Sequence, residues 1–365
     1  MPPAGRAIAA VIGALLWFTA ARSVIGTVIV PRPVGSWLTR SVDKVVSFGY
    51  RVAARMIRDH NRRDRTLAGQ AAMILIGQLV IWLAIFFVGF SLLLWPFEPG
   101  ITSAFAQAGP AMFEIGSVRL SGAPTRVILD VASLTSLVTI TLQIAYLPTL
   151  YSAFNRRETE VTLLNSRAGV PSWGPELLAR THYALGSGVS TIDTLPGLYE
   201  EWERWAADVA ESHTTYLPLV RFRSPRPLSS WVTALLAVLD SAALFLALSP
   251  KAAPVVPARL CLRSGFMCFS EIARAMDLGV PEHVDPKEGI SITYEEFLDA
   301  IARLHEVDFP IERDAADAWP DFVGWRVNYE KAAYAVADAV DAVNALWSGP
   351  RSRARPAIPP IRPPK

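Results

Sequence analysis

Glu114 and Arg119 are the only charges in residues 101–125. A carboxylate and a guanidinium five residues apart in apolar surroundings have two chemistries open to them. The carboxylate can form a ring that attracts cations if several copies meet around a pore, or the two charges can pair and neutralise each other. Asp240 is a second isolated charge, at the centre of the apolar run 228–249. An unpaired carboxylate in a core is costly, so a buried cation is expected beside it, with Arg263 and His213 as candidates. Such a pair is either structural or part of a charge network with two states. A third group is polar but uncharged: Thr135, Ser136, Thr139 and Thr141, with Gln143, recur through the apolar run 127–154. They can bond between helices, bond back to their own carbonyls, or face water.

Other chemistry finds little support. His60, His182, His213, His283 and His305 are scattered without metal-ligand spacing. Cys261 and Cys268, seven apart on one helix face, are too few for a disulfide framework and read as free thiols facing the cytosol. Residues 285–296 have Gly289 at the wrong place and Lys287 at a ligand position of a calcium loop, so no calcium site is expected. Gly186-Ser187-Gly188 is isolated and reads as a helix end, not a phosphate cradle. No nucleophile or paired-carboxylate arrangement is readable, so neither an enzyme nor a cofactor is expected, and nothing calls for nucleic acid.

The elements that must position these residues are membrane helices. Residues 67–97 carry no charge, and a bilayer core of about 30 Å needs roughly 20 apolar residues in a helix. Composition agrees: 52% of residues are hydrophobic and 19% charged, with mean hydropathy +0.30. Residues 7–31 form an earlier apolar run broken by Arg22. Its start also fits a secretory signal peptide, but apolar residues resume through Val30, as in a retained span. Residues 32–65 hold nine basic and three acidic residues, which marks a cytoplasmic loop. Within it, residues 37–57 alternate apolar and basic positions at helical spacing, which predicts an amphipathic helix on the inner leaflet. A third span is predicted over 127–154, ending at Arg156 and Arg157. Residues 101–125 are too short to cross and read as a re-entrant loop or as an outer-face loop with a short helix. Beyond residue 158 the pattern is helical throughout. Basic residues flank 228–249 on both sides, so that run reads as a buried helix of a soluble bundle. The acidic residues Asp314, Asp317, Asp321, Glu330, Asp338 and Asp341 read as solvated helix faces. The basic, proline-rich residues 350–365 read as a disordered tail.

Several motifs carry a resemblance. Tyr146-Leu147-Pro148-Thr149-Leu150-Tyr151, Phe154, Arg156-Arg157-Glu158 and Arg167-Ala168-Gly169-Val170-Pro171 follow two spans around a short loop. Glu211-Ser212-His213-Thr214, Phe222-Arg223-Ser224-Pro225, Ser230-Trp231 and 239–244 continue the pattern. Together, over roughly residues 10–350, they resemble bacterial membrane proteins related to two-helix potassium channels with a helical cytosolic domain. The resemblance implies that Phe113, Glu114, Ile115, Gly116, Ser117, Val118 and Arg119 occupy the filter position. Of the Thr, Gly, aromatic, Gly, Asp signature only Gly116 survives, and valine at 118 resists the positive φ that glycine supplies. A stack of carbonyl sites in the usual geometry is therefore not expected.

The resulting expectation is an all-α membrane protein. Its parts are a first span (1–31), a basic amphipathic helix (32–65), a pore-like module (66–155), a cytosolic helical domain (156–349) and a tail (350–365). The amino terminus lies outside and the large domain inside the plasma (inner) membrane. If it is a pore, it is a homotetramer passing monovalent cations, with Thr135, Thr139 and Gln143 lining the inner helix. The alternative is a non-conducting sensor or scaffold acting through the cytosolic domain, whose effector the sequence does not identify.

Overall fold

The computed structural model describes residues 3–30, 36–113, 122–182, 191–281 and 289–349. Among them every regular element is helical and no strand occurs. The chain divides into two compact units, one of residues 1–59 and 66–152, the other of 60–65 and 153–365.

The first unit contains α1 (Pro3–Val28), α2 (Trp37–Arg55), α4 (Gln70–Leu94) and α5 (Ile101–Phe113). It also takes the first part of α6 (Ala123–Ala168) and the end of α3 (His60–Ala68). The two longest early apolar runs pack as α1 against α4, and glycine sets how closely. A Cβ on Gly13 would lie 2.5 Å from the Gly89 carbonyl oxygen, and one on Gly89 would lie 3.1 Å from that of Gly13. Backbone therefore meets backbone, the small-residue contact that holds helices together where lipid removes the hydrophobic drive. Nearby, the buried Trp82 indole donates to the Ser23 hydroxyl at 2.9 Å, so its N–H is not stranded in an apolar core. Phe86, Phe90, Leu94, Ala104, Ala108, Met112 and Leu129 fill the rest of that core. The outward faces are apolar as well, with Leu15, Phe18, Val80, Leu134, Leu137 and Ile144 exposed.

The second unit holds α7 (Gly174–Arg180), α8 (Leu195–Thr215), α9 (Trp231–Leu248), α10 (Val255–Ala275), α11 (Tyr294–His305), α12 (Ala315–Arg326) and α13 (Glu330–Ala339). Among the described residues four helices are long and apolar enough to cross a membrane: α1, the helix leading to Phe97, α6 and α9. They differ in what covers them. All 18 residues of α9 are buried inside its own unit, so its apolar surface is used by a protein core. Gly174, opening α7, makes this packing close, since a Cβ there would stand 2.7 Å from that of Asp240 and 2.9 Å from the Ala237 carbonyl. Trp202, Trp205 and Val209 of α8, three and four residues apart, form one buried face.

Two expectations need correction. Cys261 and Cys268 do not face the cytosol; both are wholly buried in α10, and burial raises both thiols. Glu330 and Asp341 are not on solvated faces: Glu330 is buried and bound to Arg326, and Asp341 pairs with Arg63. The run 127–154 lies within α6, which continues past Phe154 through the charged residues to Ala168.

Candidate functional site

In the first unit the position of most interest is the end of α5. At 13 residues and 1.5 Å of rise each it is about 20 Å long, short of a bilayer core. The last carbonyls of a helix have no partner within it, and leaving them bare in apolar surroundings is costly. Helix α6 meets this need with two serines three residues apart. Ser133 donates to the Ala111 carbonyl and Ser136 to that of Met112, each at 2.5 Å. The chain then enters residues 114–121. Of the seven filter-position residues only Phe113 is described, as an exposed residue at the end of α5. Glu114, Ile115, Gly116, Ser117, Val118 and Arg119, and with them the Glu114–Arg119 alternative, lie outside the described residues.

Of the hydroxyls and amide expected along α6, Thr135, Ser136, Thr139 and Gln143 turn toward the unit's interior, whereas Thr141 is exposed. Thr135 accepts from the Trp17 indole at 3.4 Å, and the buried Thr139 donates to the Thr135 carbonyl at 2.7 Å. Gln143 is buried and donates to the Leu75 carbonyl at 3.5 Å, while its amide oxygen has no partner. The amide oxygen of Gln78, three residues along α4 from Leu75, is buried without one too. The face of α6 that this chain leaves open carries Val127, Val131, Leu134, Leu137, Val138 and Ile144.

The second unit is built around two arginines with no exposed surface. Arg326 answers Asp240. Its guanidinium is hydrogen-bonded to the Asp240 carboxylate, to Glu330 at 2.7 Å, to the Tyr334 hydroxyl at 2.9 Å and to the Trp347 carbonyl at 2.6 Å. Tyr329 donates to the same Asp240 oxygen at 2.8 Å. Two carboxylates thus share one guanidinium, and burial pushes the Asp240 carboxyl up to about 6 against the opposing pull of Arg326 and Tyr329. The expected partners of Asp240 are both displaced. Arg263 is exposed, with its guanidinium 6.0 Å from the Phe266 ring, and His213 belongs to the other arginine.

That second arginine, Arg157, gathers segments from across the sequence. It binds Glu158 at 2.7 Å, donates to the carbonyls of Leu219 and Phe222 at 2.9 and 2.7 Å, and lies over the rings of Phe154 and Trp231. Its contact with His213 Nε2 is 3.0 Å. A guanidinium only donates, so Nε2 accepts and the ring proton sits on Nδ1, facing the Ser212 hydroxyl at 3.0 Å. Burial first, and then the charge of Arg157, hold the imidazole pKa well below its ordinary value, so the ring is neutral. Phe154, Arg157-Glu158, Ser212-His213, Phe222 and Ser230-Trp231, which belong to separate sequence motifs, therefore converge on one guanidinium.

A third cluster joins Arg63 and Asp64 to the rest of the same unit. Arg63 pairs with Asp341, and Arg223 bonds Asp64 at 2.5 Å and the Val340 carbonyl at 2.9 Å. Beside it, residues 220–224, 229–231, Val340 and Ala342 line a cleft of about 20 Å³, room for one water near the buried, unpartnered Ser224 hydroxyl. No group of three His, Cys, Asp or Glu suited to a metal occurs among the described residues. Comparison with protein-family models, curated proteins and solved structures finds no match to this chain.

Proposed function

We propose that this chain is a multi-pass membrane protein in which α4, α5 and α6, with residues 114–121 between the last two, form a pore-loop module. The module passes monovalent cations in a homotetramer, and the second unit is its cytosolic regulatory domain. The observation that carries this reading is α5: a helix too short to cross, set between two that are long enough, with its terminal carbonyls held by Ser133 and Ser136. Non-helical backbone at membrane depth needs such a protein-lined setting. The nine-to-three excess of basic residues in 32–65 puts that loop and the second unit on the cytoplasmic side, with the amino terminus outside. On this reading α1, α4 and α6 cross and α9 does not. Glu114 takes the role of a charge ring, giving cation preference without a carbonyl filter.

One observation favours a second reading, a non-conducting scaffold. Thr135, Thr139 and Gln143 face their own unit, and the open face of α6 is apolar apart from Asp130 and Thr141. Proteoliposome potassium flux separates the two. Wild-type protein should conduct, and Ser133→Ala/Ser136→Ala should lose most of that flux while remaining oligomeric. Equal flux from both proteins would remove α5 from the pathway.

A further inference from the structure

The geometry points to α2 as a docking helix for an anionic phospholipid surface. This inference does not depend on whether the chain conducts.

Helix α2 has three sides with three chemistries. One side packs on α4: a Cβ on Gly77 would lie 3.0 Å from Val42 and 3.8 Å from Val46, and Gln70 donates to the Ser47 hydroxyl at 2.9 Å. The outward side is apolar apart from Ser41, whose hydroxyl bonds back to the Trp37 carbonyl at 2.8 Å. Trp37, Val45, Phe48, Val52 and Met56 are all exposed, Phe48 at 64% and Met56 at 83%, and their spacing of eight, three, four and four residues keeps them on one stripe. Next to that stripe Arg40, Lys44, Arg51 and Arg55, all exposed, recur at intervals of four, seven and four, which forms a parallel row along one flank. Asp43 is the only acidic residue of the helix.

Water suits the cations but not the stripe. A second copy of α2 would cover the stripe while bringing two rows of four cations together. The boundary between acyl chains and phosphate headgroups suits both rows at once: apolar side chains enter the acyl region while the long basic side chains reach the phosphates. The helix already belongs to the unit whose outward faces are apolar on α1, α4 and α6. Through Val42, Val46 and Ser47 the docked helix bears on the first half of α4, so leaflet charge acts on that helix.

The test uses full-length protein with Met56→Cys carrying an environment-sensitive fluorophore; Cys261 and Cys268 are wholly buried and do not compete for the label. The labelled protein is placed in nanodiscs of phosphatidylcholine alone or mixed with phosphatidylglycerol. The expected result is blue-shifted emission in the phosphatidylglycerol discs that is reversed by high salt. Arg40→Gln/Lys44→Gln/Arg51→Gln/Arg55→Gln should lose the difference between the two lipids. Phe48→Asp, which keeps every cation, should lose the shift by spoiling the stripe. Both variants are read only when they elute as the wild type does. Equal emission in the two discs would overturn the proposal.

Discussion

At the scale of the residue, the second unit depends on two guanidiniums that have been withdrawn from water. Removing one member of a buried ion pair leaves the other uncompensated, at a cost of about 3–5 kcal/mol. Arg326→Met should therefore destabilise the unit by about that much in thermal denaturation of the detergent-solubilised protein. Asp240→Leu/Arg326→Met should recover part of the loss, because it removes the Asp240 charge and leaves only Glu330 without its cation; equal loss in single and double variants would contradict the pairing of Asp240 with Arg326. His213 gives the unit a pH dependence of definite sign. Its pKa is depressed in the folded protein, so the unfolded chain takes up a proton that the folded chain refuses. The imidazole's share of stability is present above about pH 6.5 and is lost as pH falls below it, by up to about 1.4 kcal/mol per pH unit. Asp240 has the opposite sign, because its carboxyl is raised: its share is present at low pH and is lost as pH rises through about 6. The wild-type curve mixes the two, so the quantity to measure is its difference from His213→Gln. That difference should steepen below pH 6.5, and parallel curves would show that the ring titrates normally.

At the scale of the element, hydropathy and helical spacing are informative because both are local properties. The amphipathic segment 37–57 forms α2, and the uncharged run 67–97 forms α4 with the short turn Trp95–Phe97 after it. The central aspartate and basic flanks of 228–249 mark α9 as a core helix, and its complete burial agrees. Partnerships across long separations are not legible. The cation that answers Asp240 lies 86 residues away, on α12, whose Pro320 and mixed composition give no sign of a buried arginine. Glu330 and Asp341 look like solvent-facing acids because sequence spacing cannot show that Arg326 and Arg63 come to meet them. The serines that hold α5 are partly legible: Ser136 stands out among the polar residues of α6, but its carbonyl partner depends on how α5 folds back. The close crossing of α1 and α4 is not evident from hydropathy, although Gly13 and Gly89 are its signature. Gly13→Val should separate these helices and lower the thermal stability of the detergent-solubilised protein by several degrees, since the added Cβ faces backbone and not a yielding side chain. Gly49→Val, where nothing lies within 4 Å of the added Cβ, should cost far less, and equal losses would contradict the crossing.

At the scale of the whole molecule, the chain separates two uses of apolar surface. The first unit turns it outward on α1, α4 and α6, and the second encloses it around α9. Charge is placed accordingly: the buried pairs Arg157–Glu158 and Arg326–Asp240 lie in the second unit, and the basic row of α2 lies on the surface of the first. Under the proposed function this division belongs to a membrane pore module with a cytosolic regulator, and the uncharged short helix α5 marks where ions would pass. The most direct measurement is ion flux through the purified full-length protein in liposomes, under separate potassium, sodium and chloride gradients, with Glu114→Gln measured in parallel. A cation pore with a Glu114 ring should give flux of both cations well above chloride, and a marked fall in cation preference when the carboxylate is neutralised. Absence of flux from protein shown to be folded and oligomeric would contradict the pore and leave the scaffold reading in its place.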